Sequence, residues 1–329
     1  MKSGCNAWRK KSIAEDSSEP PSASPIDESG EQKKRPRIGL ALSAGGARGL
    51  AHIGVIQVLE ENGIPIDCVA GTSMGAYVGA CWCRGYDGRG LEEIALSHRG
   101  RFGPWKLVDL ALPFRRGLIR GNKVESTLRE RIGDVSFEEL KRPLAISATR
   151  FDTLEPMVMQ TGDVASAARA SCSMPGICVP AKRDGIELFD GGMTDPLAIG
   201  ALSHLGADLI IGCCALRDPR HKRLNLRRKR MTSPRFRSFL RFFNARLNPF
   251  AKGNVYDVVM RAVEAAQFQV LERDLSEPDV VIRPSTTRLR WYAFHKPELY
   301  VKAGRRAAES QLDSIRALLE TPIAKRNAS

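Results

Sequence analysis

Residues Arg37–Gly75, RIGLALSAGGARGLAHIGVIQVLEENGIPIDCVAGTSMG, restrict the chain to few folds. Ile38–Leu42 is an unbroken apolar run, as expected of a strand buried on both faces of a parallel sheet. A glycine-rich turn follows, then a helix from about Ala47 to Asn62, stopped by Asn62-Gly63. Pro65 opens a second strand, Ile66–Ala70, after which a sharp turn around Ser73 leads into a helix from Met74. Two parallel strands joined by a helical crossover bring both turns to the same carboxyl edge of the sheet. One turn can then offer backbone N–H groups to a negative oxygen, while the other lifts a hydroxyl to a helix N-terminus. Acyl transfer to a serine requires that combination.

The remaining chain keeps the alternation. Helices are expected at Leu91–Arg99, Lys123–Ile132, Gly162–Ser171, Pro196–Leu205, Val255–Leu275 and Glu298–Glu320. Strands are expected at Leu144–Thr149, Met157–Gln160, Ile186–Phe189, Asp208–Cys213 and Val280–Arg283. This predicts an α/β three-layer sandwich, a mostly parallel central sheet with helices on both faces. Residues 1–36, rich in Ser, Pro, Glu and Lys, read as a disordered leader, 37–320 as one domain, and 321–329 as a disordered tail. No apolar run reaches the roughly 20 residues that a spanning helix needs. The eight cysteines form no CxxC pair and most sit in apolar contexts, so they read as free thiols in a reducing compartment. The expected location is therefore cytoplasmic, with no metal and no cofactor.

Gly71-Thr72-Ser73-Met74-Gly75 fits G-x-S-x-G and stands where a nucleophile elbow must, after an apolar strand and at the start of a helix. Ser43-Ala44-Gly45-Gly46-Ala47-Arg48-Gly49 has two readings, a dinucleotide-binding turn or an oxyanion loop. The first wants a glycine where Ala44 stands and an acid at the far end of the next strand, whereas Asp67 stands at its start. The oxyanion reading assigns the N–H groups of Gly45, Gly46, Ala47 and Met74 to the negative oxygen, with Arg48 and Gly49 supporting the loop.

A serine needs a proton acceptor, usually histidine. None of His52, His98, His204, His221 and His295 sits at a strand's carboxyl end with turn residues around it. Asp190 does, followed by Gly191 and Gly192, and an apolar setting would raise its basicity. These motifs resemble the patatin-like phospholipases, in particular the bacterial branch similar to the catalytic domain of neuropathy target esterase. The family's oxyanion loop maps onto Ala44–Gly49, its elbow onto Gly71–Gly75 and its D-G-G/A motif onto Asp190-Gly191-Gly192, and Ala170–Ile177 is similar to the loop ahead of that aspartate. The resemblance implies a Ser–Asp dyad: Ser73 attacks the acyl ester of a phospholipid or lysophospholipid and Asp190 carries the proton. It also exposes a departure, Ala44 in place of the family's first glycine, which would tilt or narrow the loop. Two alternatives stay open, a Ser-His-Asp triad esterase using His204 or His295, and a non-catalytic lipid-binding protein with the same fold.

The formal net charge of +14 points to an anionic partner. Residues 217–246 hold twelve Lys or Arg and a single acid, Asp218. There Arg235 and Arg241 interleave with Phe236, Phe239, Phe242 and Phe243, which at helical spacing makes an apolar stripe beside basic residues. Residues 217–250 are therefore read as a basic amphipathic insertion that docks on an anionic membrane surface, making the protein peripherally membrane-associated. Single-stranded nucleic acid also suits basic and aromatic residues, but is not the expected partner.

Overall fold

The structure, a computed structural model, describes residues 35–100, 107–112, 116–217, 255–286, 289 and 291–320. Leader residues 1–34, the tail and most of the basic insertion, including Arg235, Phe236, Phe239, Arg241, Phe242 and Phe243, lie outside them, while Arg35 at the leader's end is ordered against Asp67.

The sheet is built from β1 (Ile38–Leu42), β2 (Cys68–Thr72), β3 (Leu144–Arg150), β4 (Pro156–Met159), β5 (Ala181–Arg183), β6 (Ile186–Asp190), β7 (Leu209–Cys213) and β8 (Val280–Ile282). Its order is β5-β6-β3-β2-β1-β7-β8, with β4 paired to β3 off this path. The central run from β3 to β8 is parallel, while β4, β5 and β6 pair antiparallel. The helices are α1 (Ala51–Glu61), α2 (Met74–Arg84), α3 (Gly88–Leu96), α4 (Asn122–Ile132), α5 (Val164–Ser171), α6 (Ile199–His204), α7 (Val255–Asp274), α8 (Pro297–Glu309) and α9 (Leu312–Glu320).

Period-two alternation splits each central strand between two cores. Leu40 and Leu42 of β1, Val69 of β2 and Ile146 of β3 pack into a large core with α1, α2 and α8. Ala41, Ala70 and Ala145 face a smaller core with α6 and with Phe268 and Leu271 of α7. Small side chains on that face let α6 lie close to the sheet.

Several boundaries differ from the sequence expectation. The second strand starts two residues later, at Cys68, and the preceding Asp67 ties the entrance of β2 to that of β1: it accepts from both Arg35 guanidinium nitrogens at 2.7 Å and from the Ile38 N–H at 2.7 Å. The first helix opens with a 3-10 turn, Gly46–Leu50, and the last breaks into α8 and α9. Strand β5 carries no apolar run and was not expected. The strand that ends at Asp190 runs antiparallel to β3, so it enters from beyond the carboxyl edge and stops there, with Asp190 opposite Ala148.

Candidate active site

The register of β1 against β2, Leu42 opposite Gly71, sets the two turns side by side. At the second, Ser73 takes φ 56°, a left-handed value that costs about 1–3 kcal/mol for a non-glycine residue. The two glycines are required by space. A Cβ on Gly71 would stand 2.7 Å from the backbone of Gly75 and Ala76, and one on Gly75 would stand 2.0 Å from the Leu42 carbonyl oxygen. Ser73 occupies the N-cap of α2, yet its side chain makes no cap hydrogen bond. Instead Ser73 Oγ donates to Asp190 Oδ2 at 2.6 Å.

Asp190 is 1% exposed, and its Oδ1 accepts from the Gly192 N–H at 2.8 Å. Burial lifts its carboxyl to about 6, opposed by the hydrogen bonds from Ser73 and Gly192. The elbow is pinned from behind by Ser171, a residue the sequence reading did not single out. The Ser73 N–H donates to Ser171 Oγ at 2.8 Å, and that hydroxyl donates to the Ser147 carbonyl at 2.5 Å.

In the glycine-rich turn, no backbone acceptor among the described residues meets the N–H of Gly45, Gly46 or Met74. Ala47 is a correction: its N–H donates to the Trp291 carbonyl at 2.6 Å and is not free for an oxyanion. Gly46, at φ 54°, could carry no side chain, since a Cβ would stand 2.7 Å from that same carbonyl. Ala44 does not have a positive φ, its N–H is taken by the Pro196 carbonyl at 2.9 Å, and its methyl group faces Gly192. Arg48 is 4% exposed and pairs with Glu264 of α7 at 3.3 Å, a partner 216 residues away that no local pattern signals. It braces the loop from outside the cavity.

Ser73 and Asp190 open into an apolar cavity of about 270 Å³, which runs along Tyr77, Val78 and Cys81 of α2 to Leu91 and Ala95 of α3. Neither His204 nor His295 is among its lining residues. His52 is fully buried and held near pKa 4 by burial, so it is neutral. Its Nε2–H donates to the Ser43 carbonyl at 2.8 Å, and its Nδ1 lies 3.0 Å from the Cys213 thiol. Both ring nitrogens are thus committed to holding α1 against the sheet.

Comparison with known proteins follows the same residues. Positions 40–203 match the family described as patatin-like phospholipase. The chain carries a patatin-like phospholipase domain. An uncharacterized NTE family protein of Mycobacterium tuberculosis is 39% identical over 181 residues, 54% of this chain and 48% of that protein. Lysophospholipase nte1 of Aspergillus fumigatus is 35% identical over 175 residues, 53% of this chain and 11% of that protein. Neuropathy target esterase sws of Drosophila melanogaster is 35% identical over 180 residues, 53% of this chain and 12% of that protein. The chain thus spans less than half the length of each of these relatives. VipD from Legionella pneumophila has a similar fold, with TM-score 0.50 and 16% identity over 88% of this chain and 69% of that one. The patatin-like domain contains the elbow, the glycine-rich turn and Asp190, and among the described residues no helix is long and apolar enough to cross a membrane.

Proposed function

We propose that the patatin-like domain hydrolyses ester-linked acyl chains of phospholipids or lysophospholipids, with Ser73 as nucleophile and Asp190 as the group that takes and returns the proton. The observation that carries this reading is the 2.6 Å hydrogen bond from Ser73 Oγ to a buried carboxylate. At about 6, the Asp190 carboxyl is a stronger base than an ordinary aspartate and is still ionised at neutral pH.

In the first half-reaction Asp190 Oδ2 takes the hydroxyl proton as Ser73 Oγ bonds to the ester carbonyl carbon. The carbonyl oxygen becomes an oxyanion, met by the N–H groups of Gly45, Gly46 and Met74; one such donor is worth about 3 kcal/mol. The intermediate collapses, the ester C–O bond breaks, and the departing alkoxide takes the proton from Asp190. In the second half, water attacks the acyl-serine while Asp190 accepts one of its protons; the intermediate collapses, that proton returns to Ser73 Oγ, and the fatty acid leaves and gives up its remaining proton to solvent.

The cavity supports an acyl substrate. Benzene fits an apolar cavity of about 150 Å³, roughly 25 Å³ per carbon. By that measure the 270 Å³ cavity holds about ten carbons. The names of the fungal and insect relatives, lysophospholipase and esterase, support ester chemistry on lipid. The charge of residues 217–250 supports delivery to an anionic bilayer, where each basic residue contributes about 1 kcal/mol. Salt-sensitive pelleting with anionic vesicles, absent with neutral ones, is the expected outcome; equal pelleting with both removes the electrostatic account.

The test of the reaction is product analysis on mixed phospholipid and lysophospholipid vesicles. Wild-type protein should release fatty acid and Ser73→Ala should release none. No release by wild type, or equal release by the variant, refutes it.

A further inference from the structure

Behind one wall of the acyl cavity lies a second recess, of about 440 Å³, which the proposed reaction does not use. The wall is the bridge of Ile119 with Cys178, closed by the Val179 N–H donating to the Ile119 carbonyl at 2.9 Å. Ile119 and Cys178 line the acyl cavity, and their successors Arg120 and Val179 line the recess.

The recess is cationic. Arg116, Arg120, Arg169 and Lys182 line it, against one acid, Glu125. Two of these five are already neutralised: Arg116 forms a double hydrogen bond to Glu187 at 2.7 Å, and Glu125 pairs with Arg129 at 2.9 Å. Among the described residues, no ion pair includes Arg120, Arg169 or Lys182. Lys182 stands opposite Glu187 across the β5–β6 pair, but Arg116 holds that carboxylate. Arg169 is the telling member, because it is only 6% exposed. Its guanidinium donates to Ser173 Oγ and to the carbonyls of Arg120 and Val179, all uncharged acceptors. Gly121 leaves it room, since a Cβ there would stand 2.6 Å from Arg169 Nε. A buried charge is costly unless an opposite charge accompanies it. Three cations without carboxylate partners, with the Asn122 amide and Ser166 hydroxyl on the same walls, fit a compact oxyanion with several acceptor atoms.

We propose that this recess is a phosphate-binding site, taking a phosphomonoester or phosphodiester group. The group comes either from the head of a lipid whose acyl chain occupies the adjoining cavity or from free phosphate. The head-group version rests on the hydrolase reading above; phosphate binding itself does not.

The experiment titrates the full chain calorimetrically with inorganic phosphate and with a glycerophosphodiester, and assays lysophospholipid hydrolysis with and without phosphate. Arg120→Ala with Lys182→Ala alters two exposed side chains and should weaken phosphate binding about tenfold or more. A charge-matched control, Lys302→Ala with Arg306→Ala on the exposed side of α8, should leave binding unchanged. Competitive inhibition by phosphate, with a raised KM at preserved kcat in the recess variant, assigns the site to the lipid head group. Binding that leaves hydrolysis untouched assigns it to free phosphate. No binding by wild type, or binding equal in the recess variant, overturns the proposal. A protein that binds phosphate but hydrolyses no ester refutes the hydrolase reading alone.

Discussion

Asp190→Asn keeps the shape of the side chain and removes its charge. Burial lifts the Asp190 carboxyl from an ordinary 3.8 to about 6. A carboxyl that holds its proton more tightly when folded stabilises the fold fully below about 3.8, and that contribution is lost as pH rises through about 6. Over this interval it amounts to about 3 kcal/mol, at about 1.4 kcal/mol per pH unit. Asparagine never ionises. Relative to wild type, the variant should therefore gain about 3 kcal/mol between pH 4 and pH 8, although it cannot take the Ser73 proton. The amide facing Ser73 Oγ adds a constant offset of about 1 kcal/mol and does not change the slope. Urea denaturation of both proteins at several pH values measures the difference through the midpoint, provided the urea dependence is the same for both. A difference that stays flat from pH 4 to pH 8, or that moves against the variant as pH rises, refutes the account of a carboxyl raised by burial.

Other substitutions test the surrounding geometry. Gly75→Ala drives a methyl group into the Leu42 carbonyl at 2.0 Å and should cost about 3 kcal/mol or more of stability in a thermal or urea melt. Ser171→Ala removes the acceptor of the Ser73 N–H, so stability should fall by about 1–3 kcal/mol and kcat should drop with little change in KM. Cys81 lies eight residues after Ser73, about 12 Å along α2, so Cys81→Phe should shorten the preferred acyl chain without abolishing hydrolysis of the shortest esters; an unchanged chain-length profile would place the acyl group elsewhere.

Much of the candidate site was legible because its proposed chemistry is written in local turns. Gly71–Gly75 between an apolar strand and a helix can be recognised without knowing what packs on it, and the same holds for Asp190-Gly191-Gly192 after an apolar run. The supports were not legible. Ser171, Trp291 and Glu264 act on the elbow and the glycine-rich turn through contacts between residues far apart in sequence, 98 residues for Ser171 with Ser73 and 216 for Glu264 with Arg48, so no spacing announces them. Ala47 was misread for the same reason, since nothing near it in sequence shows that its N–H meets Trp291. The antiparallel entry of β6 was hidden too: an apolar run fixes that a strand is buried and says nothing of its direction.

The dyad is tested most directly by the rate at which a fluorophosphonate forms a covalent adduct, followed across pH and mapped by mass spectrometry of peptides. The account predicts an adduct on Ser73 whose rate falls away below about pH 6, is lost in Asp190→Asn, and survives His204→Ala and His295→Ala. Labelling of Asp190→Asn at the wild-type rate, or loss of labelling in either histidine variant, would contradict it.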